Sequence, residues 1–173
     1  MNSVIAVNII RFIIIILAQV LIFKRIAFTT EGLGFVHFIV YPVTILLLPL
    51  RTPKGVLLVL GLITGLFIDI FYDSIGVHAS ALVFTAYIRN LVIAALEPFE
   101  GYNQNDVPGI RSLGFGWFVS YLSICMFLHL FFYFSVEAFS FVFILDILLN
   151  SVFSFFVSVI TILLWQLIFK FKY

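Results

Sequence analysis

Long unbroken apolar runs separated by short polar breaks set the pattern of this chain. The runs are continuous rather than alternating, and they far exceed the roughly 9–11 residues of a membrane barrel strand, so they predict helices. Six spans are expected, at about 4–23, 35–50, 55–72, 77–96, 115–134 and 142–169. Lys24-Arg25 close the first, and the loop Ala27–Gly34 with Thr29, Thr30 and Glu31 follows. The second run carries Pro42 and Pro49, which predicts a kink near Pro42 whose freed carbonyl neighbouring helices must shield. Arg51-Thr52-Pro53-Lys54 makes a basic turn, Asp73-Ser74-Ile75-Gly76 the next, and Glu97–Gly114 is the one substantial polar loop. Its proline, glycine and asparagine content argues against a regular helix. The first run has no basic leader and no clear small-residue cleavage site, so it reads as a retained span.

Composition turns this pattern into a class. With 64% hydrophobic and 10% charged residues and a mean hydropathy of +1.28, the chain lacks the polar residues to cover a water-soluble surface. An all-α integral membrane protein is expected, residues 1–173 forming one six-span domain embedded in the lipid bilayer. A net charge of +1 without a basic patch excludes the electrostatic footprint of a nucleic-acid binder. Cys125 stands alone, so it closes no internal disulfide and joins no cysteine cluster. Six spans put both termini on one side together with Arg51, Lys54, Arg111, Lys170 and Lys172, and Arg11 by snorkelling; only Lys24 and Arg25 fall on the other. Both termini and the 97–114 loop are therefore expected in the cytoplasm.

Ionised groups are costly in membrane-length segments, which draws attention to the third span. Gly61, Gly65, Asp69 and Asp73 recur every four residues and form one stripe on its face. Small residues at this spacing admit a close helix, either a partner chain or another helix of the same bundle. Asp69 lies roughly 5 Å inside the end of the span, where Lys24, Arg25 or a backbone donor would meet it. Arg89 on the fourth span is a further candidate for Asp69, or snorkels toward the long loop. Asp69, Asp73, Glu137 and Asp146 all fall toward the outer ends, opposite the basic pair Lys24-Arg25, a candidate rim for internal pairing or partner docking.

Catalytic and metal chemistry find little footing. Asp69 and Asp73 share one helix, whereas an intramembrane aspartyl dyad needs two helices. Asp69 with Asp146 satisfies that geometry, but the Gly-Xaa-Gly-Asp sequence of such proteases is missing. His37, His78 and His129 stand singly, without a His-x-x-x-His pair, and read as packing or hydrogen-bonding residues, His78 as a cap of the fourth span. No serine has a Gly-x-Ser-x-Gly setting. No enzyme activity and no cofactor is expected.

The run Gly-Leu-Ile-Thr-Gly-Leu-Phe-Ile-Asp at 61–69, followed by Asp73, Gly76 and His78-Ala79, resembles the rod-shape-determining MreD family. Leu-Leu-Pro-Leu-Arg-Thr-Pro-Lys at 47–54, Glu97-Pro98-Phe99-Glu100-Gly101-Tyr102 and Gly114-Phe115-Gly116-Trp117-Phe118 look like one branch of it. The resemblance implies a non-enzymatic scaffold of the cell inner membrane that takes part in cell shape and the spatial control of peptidoglycan synthesis. It implies binding to MreC and, through it, association with MreB, RodA and a penicillin-binding transpeptidase in the rod complex. It further implies a compact six-helix bundle similar to the substrate-binding subunits of energy-coupling-factor transporters. That similarity defines the alternative function, a binding subunit of a vitamin-type transporter with a cavity at its outer end. On the scaffold reading, Gly61, Gly65, Asp69 and Asp73 are the partner-contact candidates, and Arg89, Asp146, Lys24 and Arg25 are structural charges.

Overall fold

The computed structural model describes residues 2–29, 36–103 and 106–168. Residues 30–34 of the first loop, the start of the second expected span at Phe35, and Lys170 and Lys172 lie outside them. All regular elements among the described residues are helical. Helix α1 (Asn2–Ala18) continues through a π-helical turn (Gln19–Phe23) into α2 (Lys24–Thr29). After the short α3 (Val43–Leu46) come α4 (Lys54–Tyr72), α5 (Val77–Ala95), a single turn α6 (Ile110–Leu113), α7 (Phe115–Ala138) and α8 (Ile144–Ile168). Helices α4, α5, α7 and α8 are long and apolar enough to cross a membrane. Their bounds fall close to those the apolar runs predict.

Successive long helices pack as antiparallel neighbours, α4 on α5, α5 on α7 and α7 on α8. The turn at Gly76 joins α4 to α5, and the loop at Pro98 leads from α5 to α7 at the opposite end. Both Gly76 (φ 81°) and Gly114 (φ 86°), which precedes α7, occupy positive-φ conformations that glycine adopts without a Cβ penalty. Exposed apolar residues lie along α4 (Val59, Ile63, Ile70) and α8 (Phe153, Phe156, Ile160), the outward faces of helices that need no water-compatible surface. The core lies between α5, α7 and the segment around α3, with Tyr41, Leu46, Leu82, Phe118, Tyr121 and Leu122 at or near zero exposure.

The second expected span is the principal departure. Residues 36–40 form no regular element, Tyr41 and Pro42 turn, α3 lasts one turn, and 47–53 is irregular, so no kinked helix exists here. Pro42 is the N-cap of α3 rather than a mid-helix kink, in keeping with proline's tolerance at helix starts. Residues Ile39 to Leu47 are buried throughout. The segment has too few internal backbone bonds to satisfy itself, and irregular backbone away from water survives only where the rest of the protein supplies partners.

Candidate functional site

Those partners are the polar side chains that the apolar helices carry. Gln19, the first residue of the π turn, receives Val40 N–H (2.8 Å) and Tyr41 N–H (3.3 Å) on Oε1 and donates from Nε2 to Phe38 O (2.9 Å) and Tyr72 Oη (2.8 Å). Ser154 and Ser158 of α8 accept from His37 N–H (2.9 Å) and Ile39 N–H (3.0 Å). Further along, Tyr121 donates to Leu46 O (2.9 Å) and Arg11 to Leu47 O (3.0 Å). Arg89 donates to Leu48 O and to Pro49 O (3.1 Å). Arg11 is 2% exposed and Arg89 0%, so neither snorkels to a headgroup; both guanidinium groups serve carbonyls of the broken segment. The Asp69–Arg89 contact does not form. A π turn widens the helix by one residue, and its placement at Gln19 aims that amide at the broken segment.

The α4–α5 hairpin is built from the residues of the predicted stripe, but facing inward. A Cβ added to Gly65 meets Ala79 Cα at 2.3 Å, and one added to Gly61 meets Leu82 O at 3.1 Å. The glycine face is consumed by close packing of α4 on α5, so Gly61 and Gly65 are not a free surface for a partner helix. Asp69, one turn on and 5% exposed, accepts from Ser74 Oγ (2.7 Å), His78 N–H (2.9 Å) and Ala79 N–H (3.0 Å). It therefore caps α5 from the preceding helix, satisfying amides of the first turn and placing negative charge at the positive end of the helix dipole. Backbone donors meet Asp69 in place of Lys24, Arg25 or Arg89. His78 contributes its amide to this cap, and its ring lies 3.8 Å from Asp69 Oδ1.

The remaining candidates separate. Asp73 leaves the stripe, because the chain turns left-handed there (φ 53°) and exposes it. Lys24 donates to Phe71 O and sits over the Tyr72 ring, 5.3 Å from its centroid. Arg25 and Asp146 are exposed. Glu137 is exposed and accepts from Tyr133 Oη at 3.2 Å. At the Pro98 end, Tyr102 donates to Ile93 O (2.7 Å) and Trp117 to Leu96 O (2.9 Å), which fastens the long loop over the ends of α5 and α7. Burial raises the Tyr102 phenol above its ordinary pKa and keeps it a donor.

Sequence reasoning missed two polar groupings. His129, fully buried, lies between Thr85 Oγ1 (2.7 Å) and Tyr41 Oη (3.0 Å). Because Thr85 donates to Ala81 O (2.7 Å), the assignment that satisfies all three groups has His129 Nδ1–H donating to Thr85 and Nε2 accepting from Tyr41. The second is a cavity of about 250 Å³ at the Gly76 end, bordered by the Gln19–Lys24 turn, residues 37–39 of the broken segment, Tyr72, Ser74, His78, Tyr133 and Glu137. Its signal in the sequence was only a concentration of aromatic and polar residues near the ends of several spans. Comparison of the chain with protein-family models, with curated proteins and with solved structures gives no match.

Proposed function

We propose that the chain is a non-enzymatic scaffold subunit of the cell-wall elongation complex, held in the cell inner membrane by six crossings, five helical and one broken, with both termini cytoplasmic. One observation carries the reading: Gly61, Gly65, Asp69, Gly76 and His78, the residues of the MreD-like run, act together in one hairpin, as members of one family motif would. Arg11, Arg89 and Asp69 fit the same reading, since each is committed to the chain's own backbone. With the glycines turned inward, the surface offered to MreC moves to the hairpin tip, where Asp73 and the fully exposed Ile75 stand beside an open groove that includes Leu66 and Ile70. Association with MreB, RodA and a penicillin-binding transpeptidase follows through MreC. The test is affinity purification from membranes: wall-synthesis proteins should copurify, and Ile75→Glu with Asp73→Lys should release MreC while leaving the protein folded. Absence of wall-synthesis proteins from the wild-type eluate would overturn the proposal.

The cavity at the Gly76 end favours a second reading, the binding subunit of a vitamin-type transporter. That function requires a small molecule retained through purification and loss of its uptake when the chain is deleted.

A further inference from the structure

We infer that the cavity at the Gly76 end is a binding site for a small planar heteroaromatic molecule. The inference requires neither functional reading, because a scaffold and a transport subunit can each carry such a site. Its volume, about 250 Å³, exceeds the roughly 150 Å³ of an engineered cavity that admits benzene, which sets the occupant at one or two fused rings.

The walls select for flatness. Phe23 and Phe38 stack on each other at 5.9 Å, and Tyr72 and Tyr133 lie against the His78 ring at 4.8 and 4.9 Å. Rings from five separate parts of the chain thus border one space, and a planar guest gains offset-stacked or edge-to-face contacts with them. The polar groups select for a heterocycle rather than a hydrocarbon. The His78 ring closes one side of the wall, 2% exposed and with Nδ1 turned toward Asp69 at 3.8 Å, so its nitrogen is not offered to a guest. His37, whose backbone is held by Ser154, presents a ring that contacts Phe134 edge-on. Glu137 takes one bond, on Oε1 from Tyr133, which leaves Oε2 as an acceptor at the cavity wall.

Gln19, Ser74 and Lys24 also border the cavity, but their side-chain groups are taken up by the broken segment, by Asp69 and by Phe71 O with the Tyr72 ring. Recognition therefore falls to the His37 imidazole and Glu137. A ring N–H or exocyclic amine donating to Glu137, with a ring nitrogen or carbonyl facing that imidazole, matches that set. A resident metal is not the reading, since among the described residues no three His, Cys, Asp or Glu side chains group closely enough to hold one.

The full chain, purified into lipid nanodiscs, should be titrated with adenine, nicotinamide and indole, and in parallel with glycine betaine and leucine as compact non-aromatic molecules. Thermal unfolding should rise saturably with at least one heteroaromatic and with neither control. Glu137→Gln and His37→Phe leave the helix-holding contacts in place; each should keep the unliganded midpoint and weaken that probe about 10-fold or more. The inference is overturned if no heteroaromatic shifts the midpoint, if the controls shift it equally, or if the shift survives both substitutions at unchanged affinity.

Discussion

Replacing Gly65 by alanine tests whether the glycine stripe is an internal joint. The added Cβ would lie 2.3 Å from Ala79 Cα and 2.7 Å from Ala79 N, both backbone atoms with no rotamer to retreat into. Reaching the 3.4 Å at which ordinary contact begins requires α4 and α5 to part by about 1 Å. Such overpacking costs about 1–3 kcal/mol. The same movement stretches the Asp69 bonds to His78 and Ala79 from 2.9 and 3.0 Å toward 4 Å, beyond useful hydrogen bonding. Weakening hydrogen bonds to a charged acceptor adds about 1.5 kcal/mol or more, and alanine's helix preference returns about 1 kcal/mol. The net expectation is a loss of about 2–4 kcal/mol. At Gly61 the nearest atom is Leu82 O at 3.1 Å, so a few tenths of an ångström suffice, and Gly61→Ala should fall within about 1 kcal/mol of wild type. Equilibrium unfolding of the isolated protein in mixed micelles, followed by far-UV circular dichroism, measures both. Equal stability of the two variants would refute the reasoning, because a stripe facing lipid or a partner would leave the isolated chain indifferent to either change.

Three further outcomes follow from the contacts around the hairpin and the broken segment. Asp69→Ala should destabilise by about 3 kcal/mol or more, since it strips the Ser74, His78 and Ala79 donors of their acceptor, and Ser74→Ala by only about 1 kcal/mol; the same unfolding assay ranks them. Gln19→Leu should cost more than Tyr121→Phe, because the first orphans Val40 N–H, Tyr41 N–H and Phe38 O together while the second leaves only Leu46 O short of a donor; the Tyr121 change is worth about 1 kcal/mol. For orientation, Ile75→Cys should react with an impermeant maleimide from outside intact cells and Phe99→Cys only after lysis, with buried Cys125 silent in both; the reverse labelling pattern would invert the proposed topology.

The four long helices were legible because an apolar run of about 20 residues bounded by charges, glycine or proline has one low-energy solution without water. Capping of α5 was half legible: the spacing put Asp69 near the turn, but only the sharp reversal at Asp73 and Gly76 brings its carboxylate over the first amides of the next helix. The glycine stripe offered two readings that periodicity cannot separate, since a face that admits a close helix looks the same whichever chain supplies that helix. The cavity entered only through the transporter resemblance and could not be read from the residues, because its walls come from residues more than a hundred positions apart, such as Phe23 and Glu137.

The misreading of residues 35–50 and that of the buried arginines have one cause. A run of about 16 residues with two prolines is short for a helical crossing, which needs about 20 residues, and each proline removes a backbone donor and frees a carbonyl. If such a segment lies inside a bundle, its carbonyls must find donors on other helices, and each donor must be long or rigid enough to reach a backbone that no ladder organises. Arg11, Gln19, Arg89 and Tyr121 are those donors, and Arg89 spans two consecutive carbonyls with one guanidinium nitrogen. Their placement in apolar helices is thus the complement of the prolines in the neighbouring run. Arg89→Lys puts the argument to its sharpest use. The charge survives, but a single shorter ammonium must replace a planar fork buried at 0% exposure. If the guanidinium holds Leu48 and Pro49, Arg89→Lys should lose about 2 kcal/mol or more by the unfolding assay, and the backbone amides of Leu47, Leu48 and Leu50 should exchange faster with deuterium. Wild-type exchange in that segment, with stability intact, would show that the segment holds itself and that Arg89 is needed for something else.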